Sequence, residues 1–505
     1  MIEGLVGGFS NVFEPGNLMI LLIATMVGFL GGAIPGISGT MLVILALPIT
    51  YTMEPIAAFL LLSAIYVSSV FSGSISAILF RTPGTPEAIA TVYDGYPMAQ
   101  KGQAGRALGV AIFSSGIGGI IGTVFLIFLT PVLARSALQF SAPEYFALAV
   151  LGLTVVASLS GGDLLKGVLA VLFGLFIATF GMDELTGATR FTFDSPAMIS
   201  GIGLIPVLIG LFAISEFLRK SKEKTTKNQS FGKIKTKIFE MEVFKRIYKV
   251  IARSSLLGVF IGILPGVGAT TAAIMSYSEA ARWSKNPKEF GTGIPEGIAA
   301  PETANNAAAV GAMVPLLALG IPGSATTAVI LGAFILHGMQ PGPMLFVSNS
   351  TLMYSIFIGI LVANILILIL AKPFISVFSK ITHVPYSILG PIIAMMCVIG
   401  TYSVRNSYFD IFIMFLFGLI GYVFEKIKFP LAPVILGLVL GPIAESEFRR
   451  SLEMSNGAYS IFLTRPISGT LIAVAILALV YPIIKEKFKK RKESKIADLE
   501  SSALS

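Results

Sequence analysis

Four short strings in this 505-residue sequence pair a chain break with hydroxyl groups, a combination suited to holding an anion. The first is Pro35-Gly36-Ile37-Ser38-Gly39-Thr40, and the second is Pro265-Gly266-Val267-Gly268-Ala269-Thr270, followed by Thr271. Proline removes a backbone donor and clashes with the preceding turn, while glycine accepts positive φ. Each Pro-Gly pair is therefore expected to end a helix and free N–H groups around residues 38–40 and 268–270. The N-terminus of a following half-helix would aim its positive dipole end at an anion. Thr82-Pro83-Gly84-Thr85-Pro86 and Pro322-Gly323-Ser324-Ala325-Thr326-Thr327 repeat that chemistry. Arg81 adjoins the former, and a guanidinium either grips a carboxylate through two parallel hydrogen bonds or lies at an interface beside a helix end. The substrate-binding candidates are Ser38, Gly39, Thr40, Arg81, Thr82, Gly84, Thr85, Gly268, Thr270, Thr271, Gly323, Ser324 and Thr326, with helix breaks at Pro35, Gly36, Pro83, Pro265, Gly266 and Pro322.

A second group is acidic. Glu302, Asn305 and Asn306 interrupt an otherwise small, apolar stretch, and ionisable residues in such surroundings usually mark a substrate, ion or proton path. If Pro301 begins a helix, Glu302 and Asn306 share one face, where carboxylate and amide oxygens suit a sodium ion or a proton. The plainer alternative is a helix N-terminus, which favours Pro followed by Glu. Asp94-Gly95-Tyr96-Pro97 reads as a surface turn, and Asp163, Asp183 and Glu184 as loop or cap residues.

Enzymatic chemistry finds little support. The sequence has no phosphate-binding Gly-x4-Gly-Lys-Ser/Thr string and no His-Glu-x-x-His helix. A lone Cys397 excludes an internal disulfide, and two histidines, His337 and His383, leave no histidine-rich metal site. Gly36-Ile37-Ser38-Gly39 matches a string of intramembrane serine proteases, but both histidines lie far along the chain and the counterpart of Ser38 is Gly268. No catalytic residue, metal or cofactor is expected beyond a transported ion.

The elements that position these groups must lie in a membrane. Soluble domains are about 25% charged; here 12% of residues are charged and 55% hydrophobic. A bilayer core needs roughly 20 apolar residues per helical span. Candidate spans lie near 17–34, 107–130, 144–159, 164–181, 198–217, 351–371, 386–402, 408–424 and 466–484, with Gly/Pro-broken apolar stretches at 40–80, 254–278, 306–336 and 430–443. Irregular backbone at membrane depth survives only where protein or a water-filled cavity covers it, so the broken stretches are where function is sought. The formal charge of +9 comes from two basic runs, 219–253 at net +9 and 485–495 at net +5, against −5 elsewhere; they mark a cytoplasmic side, and neither is read as the folded basic face of a nucleic-acid surface. Residues 1–13 carry no Lys or Arg, unlike a cleavable signal peptide.

The chain repeats itself. Gly28, Gly32, Pro35, Gly36 and Thr40 recur as Gly258, Gly262, Pro265, Gly266 and Thr270, and the Thr82–Pro86 string recurs from Ile321. Matching interrupted segments in two halves point to a transporter site at the repeat interface. The expectation is an all-α polytopic membrane protein of two inverted-topology repeats with discontinuous helices and about 10–12 spans. Its divisions are a first repeat 1–218, a cytoplasmic loop 219–253, a second repeat 254–465, a final span 466–484 and a cytoplasmic tail 485–505.

Three strings resemble the large permease subunit of the tripartite tricarboxylate transporter family. They are Thr82–Pro86 running into Asp94-Gly95-Tyr96-Pro97-Met98-Ala99, Ala300-Pro-Glu-Thr-Ala-Asn-Asn-Ala-Ala-Ala, and Gly320-Ile-Pro-Gly-Ser-Ala-Thr-Thr-Ala-Val. The likeness covers most of residues 15–440. One departure is Ser38-Gly39 before Thr40, where the family commonly has Gly-Pro before Thr. The resemblance implies a secondary importer of organic anions in the cell membrane, driven by sodium or protons. Its implied partners are a small membrane subunit and an extracytoplasmic solute-binding protein; an elevator-like motion is expected, partly by analogy with other binding-protein-dependent secondary transporters. A passive channel, or an anchor for a complex energised elsewhere, is the competing reading. A labelled fluorophosphonate is expected to leave Ser38 unmodified, read by mass spectrometry; modification there would revive the protease alternative.

Overall fold

The computed structural model describes residues 2–35, 37–159, 163–183, 185–221, 239–381 and 386–480. Gly36, Glu184, His383, the 222–238 part of the basic loop and the tail from 485 lie outside the described residues. Among the described residues the strands are one short antiparallel pair, Gly181–Met182 with Thr189–Arg190, and helix dominates the rest. Six described helices are long and apolar enough to cross a bilayer: Pro15–Ala33, Pro55–Phe80, Val92–Ala137, Ser350–Ile375, Tyr408–Lys426 and Leu431–Met454. The chain is a polytopic, helical membrane protein.

Several expected boundaries move. Residues 144–159 and 164–181 form the helices Ala142–Leu159 and Leu164–Ala178, shorter than a full crossing, and 198–217 is interrupted between Pro196–Ile199 and the helix from Leu204, where Gly201 has φ 71°. The expected break at 430–443 is absent: Leu431–Met454 is one helix with Pro442 inside it. A proline removes one N–H, and packing along the buried run 433–441 holds this helix together regardless.

The described chain forms two compact units, one within 1–139 and 202–426, the other within 140–201 and 427–505. In the first, proline starts and left-handed caps punctuate the helices. Pro15, Pro55 and Pro295 stand at helix starts, where a missing N–H costs nothing. The helix Pro55–Phe80 ends at Arg81 with φ 59°, and Met313–Leu319 ends at Gly320 with φ 75°; Pro83 and Pro322 follow.

Glycines set the helix spacing in this unit. Gly28 lies so close to Ile65 and Ser68 that a side chain would overlap them, and Gly258 stands likewise against Ala304 and Ala307. Gly32 meets Ser69 as Gly262 meets Ala308. Small residues let helix backbones touch, so Pro15–Ala33 rests on Pro55–Phe80 and Met241–Ile263 on Pro295–Gly311. The contacts of one pair reappear in the other, shifted by the offsets at which the strings recur, 230 and 239 residues. The helices Pro55–Phe80 and Pro295–Gly311 are buried on nearly every side.

In the second unit, Gly174 and Gly437 pack against one another's helices, Leu164–Ala178 and Leu431–Met454. Charge closes one end. Asp183 accepts hydrogen bonds from the amide and hydroxyl of Thr186, each at 2.8 Å, and from Leu185 N at 3.1 Å, with Arg449 at 2.9 Å. Arg190 reaches Glu445 at 2.7 Å and Asp183 at 3.4 Å. The Thr186 amide, then its hydroxyl and Arg449, hold the Asp183 pKa down from 3.8 to about 2. A depressed carboxylate stabilises the fold above its unfolded pKa and loses that contribution as pH falls through its folded value. Asp183→Asn is therefore expected to lower Tm at neutral pH, with the difference from wild type shrinking as pH falls from 3.8 towards about 2. Scanning fluorimetry across that range checks it, and a gap independent of pH would contradict it.

Candidate functional site

The four hydroxyl-bearing turns belong to the first unit. The helix Pro15–Ala33 stops at extended Ile34, and Ser38 starts the next helix, Gly39–Thr50, by accepting a hydrogen bond from Met41 N at 3.1 Å. In the second half, Met241–Ile263 stops at extended Leu264, and Gly268–Trp283 begins at Gly268 with φ 74°. Ser324 starts Ala325–Leu336 with a capping box closed by Thr327. Such a box satisfies two otherwise orphaned helix-start donors.

Direct contacts join these turns. Thr40 Oγ1 lies 2.7 Å from Thr326 Oγ1, 286 residues away in sequence. Gly266 N donates to Gly323 O at 2.9 Å, tying the second and fourth turns together. Gly84 N donates to Gly73 O at 3.1 Å, and a side chain on Gly84 would overlap Gly32 O, so the third turn seats against the end of Pro15–Ala33. Tyr66, from the buried helix Pro55–Phe80, reaches Ser324 Oγ at 3.4 Å. Two helix N-termini, those of Gly39–Thr50 and Ala325–Leu336, thus meet through side-chain hydroxyls.

The acidic group adjoins the third turn, where Asn305 meets the backbone of Glu87 just beyond Pro86. Glu302 and Asn305 are fully buried and Asn306 is 1% exposed, all on Pro295–Gly311. Glu302 accepts hydrogen bonds from Thr91 at 2.5 Å and Ser115 at 2.8 Å. Asn306 donates to Glu302 O at 3.1 Å and to Asn305 Oδ1 at 2.8 Å, and Asn305 donates to Glu87 O at 3.2 Å. Pro301 does not start this helix; it lies within it, after a start at Pro295. Glu302 is therefore no N-terminal cap, because the helix is already two turns old where it stands.

Other expected residues stand apart from these contacts. Arg81 is exposed and lies over the Tyr96 ring at 5.8 Å, and Thr82 is exposed, donating to Phe80 O at 3.2 Å. Thr85 is buried against Gly73. Thr270 and Thr271 are half-buried in the first turn of Gly268–Trp283. Gly36 is outside the described residues.

The expectation of a surface turn at Asp94-Gly95-Tyr96-Pro97 is corrected. Those residues belong to the short helix Val92–Met98, and Asp94 is fully buried. Its carboxylate accepts from the amides of Gly291 (3.0 Å), Gly293 (2.7 Å) and Ile294 (3.0 Å) and from the Tyr277 hydroxyl (2.8 Å). Local turn chemistry loses here to three amides of the loop that leads into Pro295–Gly311. Tyr66, Thr91, Ser115 and Tyr277 carry no sequence pattern of their own; each is an ordinary hydroxyl in an apolar or capping context.

The model of the tripartite tricarboxylate transporter TctA family matches residues 18–436. An Agrobacterium vitis protein described as an uncharacterized 52.8 kDa protein in the TAR-I ttuC′ 3′ region is 38% identical over 491 residues, covering 97% of this chain and 98% of that protein. A second from the same organism, described as an uncharacterized protein in the TAR-II ttuC′ 3′ region, is 39% identical over 241 residues, which is 48% of this chain and 100% of that protein. No solved structure matches the chain.

Asp94→Ala would leave three amides and the Tyr277 hydroxyl without their acceptor, and each buried unpaired donor costs about 1–3 kcal/mol. It is expected to lower Tm sharply or to abolish folded protein in detergent, while Asp94→Asn, which keeps one oxygen acceptor, falls between. A normal Tm for Asp94→Ala would show the contacts to be dispensable.

Proposed function

The chain belongs to the tripartite tricarboxylate transporter TctA family, and from that membership we propose that it is the large membrane subunit of an ion-coupled importer of organic carboxylates. In this reading a small membrane subunit and an extracytoplasmic solute-binding protein complete the system. The binding protein delivers the anion, and a sodium or proton gradient in the cell membrane drives uptake. The C-terminus is cytoplasmic.

The observation that carries the proposal is the Thr40–Thr326 pair at two adjoining helix N-termini. Helix starts offer N–H groups and a positive dipole end, which favour carboxylates, and the hydroxyls of Ser38, Thr40, Ser324 and Thr326 add short donors beside them. Gly268, with open space beside its Cα, would let a substrate approach backbone closely, with Thr270 and Thr271 extending the surface, while Gly39, Gly84, Thr85 and Gly323 would support the site from behind, packed against Ser69, Gly32, Gly73 and Ala312. Arg81 and Thr82, exposed at the end of Pro55–Phe80, are proposed for an approaching anion rather than for a buried one. Glu302, Asn305 and Asn306 form the coupling group. The recurrence of one glycine-contact pattern in both halves supports reading them as inverted-topology repeats around a shared site. Alternating access would then carry that site past the remaining helices in an elevator-like movement.

Uptake of labelled citrate, succinate and tartrate in cells expressing the whole system tests the reading. Thr40→Val should reduce initial uptake while membrane insertion stays normal, and accumulation should exceed equilibrium only under an ion gradient. Uptake that merely equilibrates would favour the passive channel, and wild-type rates in both Thr40→Val and Thr270→Val would remove the turns from the site.

A further inference from the structure

We infer that the coupling ion is a proton and that Glu302 carries it; the inference deepens the transporter reading and rests on it. Both oxygens of the Glu302 carboxyl face neutral donors, Thr91 on one side and Ser115 on the other. The residue is completely buried, and no cation touches it among the described residues. A buried charge without a partner costs far more than a buried neutral acid. The place therefore suits a carboxyl that holds a proton while enclosed and releases it where water reaches it. A sodium ion would need several oxygen lone pairs converging on it, whereas the Thr91 and Ser115 hydroxyls turn their hydrogens, not their lone pairs, towards the carboxyl. Asn306 Oδ1, one turn along the same face, is buried without a partner among the described residues.

Several titratable groups on the surrounding elements have partners of their own. On Ala104–Ala137, Arg106 lies more than two turns from Ser115 and faces Glu240 at 3.3 Å. On Met241–Ile263, Arg246 pairs with Glu296 at 2.9 Å and Arg253 with Glu279 at 3.5 Å. On Val92–Met98, Asp94 is held by the 291–294 amides and by Tyr277 of Gly268–Trp283. On Pro55–Phe80, Tyr66 faces Ser324. Glu87, in the short turn Pro86–Ala88, is a second carboxyl linked to this group, its backbone carbonyl joined to Glu302's own helix through Asn305.

That last link gives the proton a mechanical consequence. Thr91 closes the segment that starts with Thr85, and Thr85 and Gly84 are the residues seated against Gly73 and Gly32. A carboxylate only accepts hydrogen bonds, whereas a protonated carboxyl also donates one. Loading Glu302 therefore changes what Thr91 and Ser115 must do, at one end of the segment whose other end forms the third turn.

The test uses the full chain in lipid and then the whole transport system in proteoliposomes. Infrared difference spectroscopy at neutral pH should show the C=O stretch of a protonated carboxyl that disappears in Glu302→Gln and shifts in Thr91→Val. With citrate, succinate and tartrate as probes, an imposed pH gradient at equal sodium should drive accumulation. Glu302→Gln should lose that accumulation and Glu302→Asp should regain it with a displaced pH profile. Size-exclusion profiles of the purified variants separate loss of coupling from loss of folding. Accumulation that follows a sodium gradient at fixed pH, or a carboxyl band of undiminished intensity in Glu302→Gln, would overturn the inference while leaving an ion-coupled importer in place. No uptake of any probe under either gradient would instead defeat the importer reading, and the infrared band alone would then decide whether Glu302 holds a proton.

Discussion

A helix that ends inside a membrane protein leaves backbone N–H groups that no water satisfies, and the rest of this structure depends on where those groups find partners. Here the partners are hydroxyls and carbonyls of other helix ends. Ser38 and Ser324 each satisfy the start of their own helix. Thr40 and Thr326 then join the two starts, and Gly266 and Gly323 join the remaining breaks of the second half. The interruptions are tolerated because they lean on one another.

The close approach needs helices that can touch at the backbone. The Gly28–Ser68 and Gly258–Ala307 contacts provide it, and their Ala, Ser and Gly composition explains why two wholly buried helices, Pro55–Phe80 and Pro295–Gly311, run through the first unit without bulky side chains at the crossing points. One of those helices carries Glu302. The same packing that brings the breaks together therefore also encloses the carboxyl and fixes which hydroxyls it meets.

Much of this is legible in the residues, for physical reasons that differ from case to case. Pro35, Pro265 and Pro322 can be read as helix breaks because proline acts locally, whatever surrounds it. Glu302 stands out because a carboxylate among alanines is costly to bury and is rarely kept without a task. Its place in the helix is less legible: the chain starts the helix at Pro295 and not at Pro301. Asp94 cannot be read correctly from its neighbours. Asp-Gly-x-Pro favours a turn on local grounds, and only the fold brings the Gly291–Ile294 amides onto the carboxylate. Pro442 misleads in the opposite direction, since dense packing along 433–441 outweighs one lost hydrogen bond. Thr91 and Ser115 are invisible in the sequence because a lone hydroxyl in a helix usually bonds its own backbone.

The claim that both halves build one pocket is tested most directly by cross-linking Thr40→Cys to Thr326→Cys in a chain whose single native cysteine, Cys397, is replaced by alanine. The hydroxyls they replace are 2.7 Å apart, so the account predicts rapid disulfide formation in intact membranes, slowed by any carboxylate the system transports. A pair that stays reduced under oxidising conditions, or that oxidises at a rate indifferent to every transported carboxylate, would contradict it.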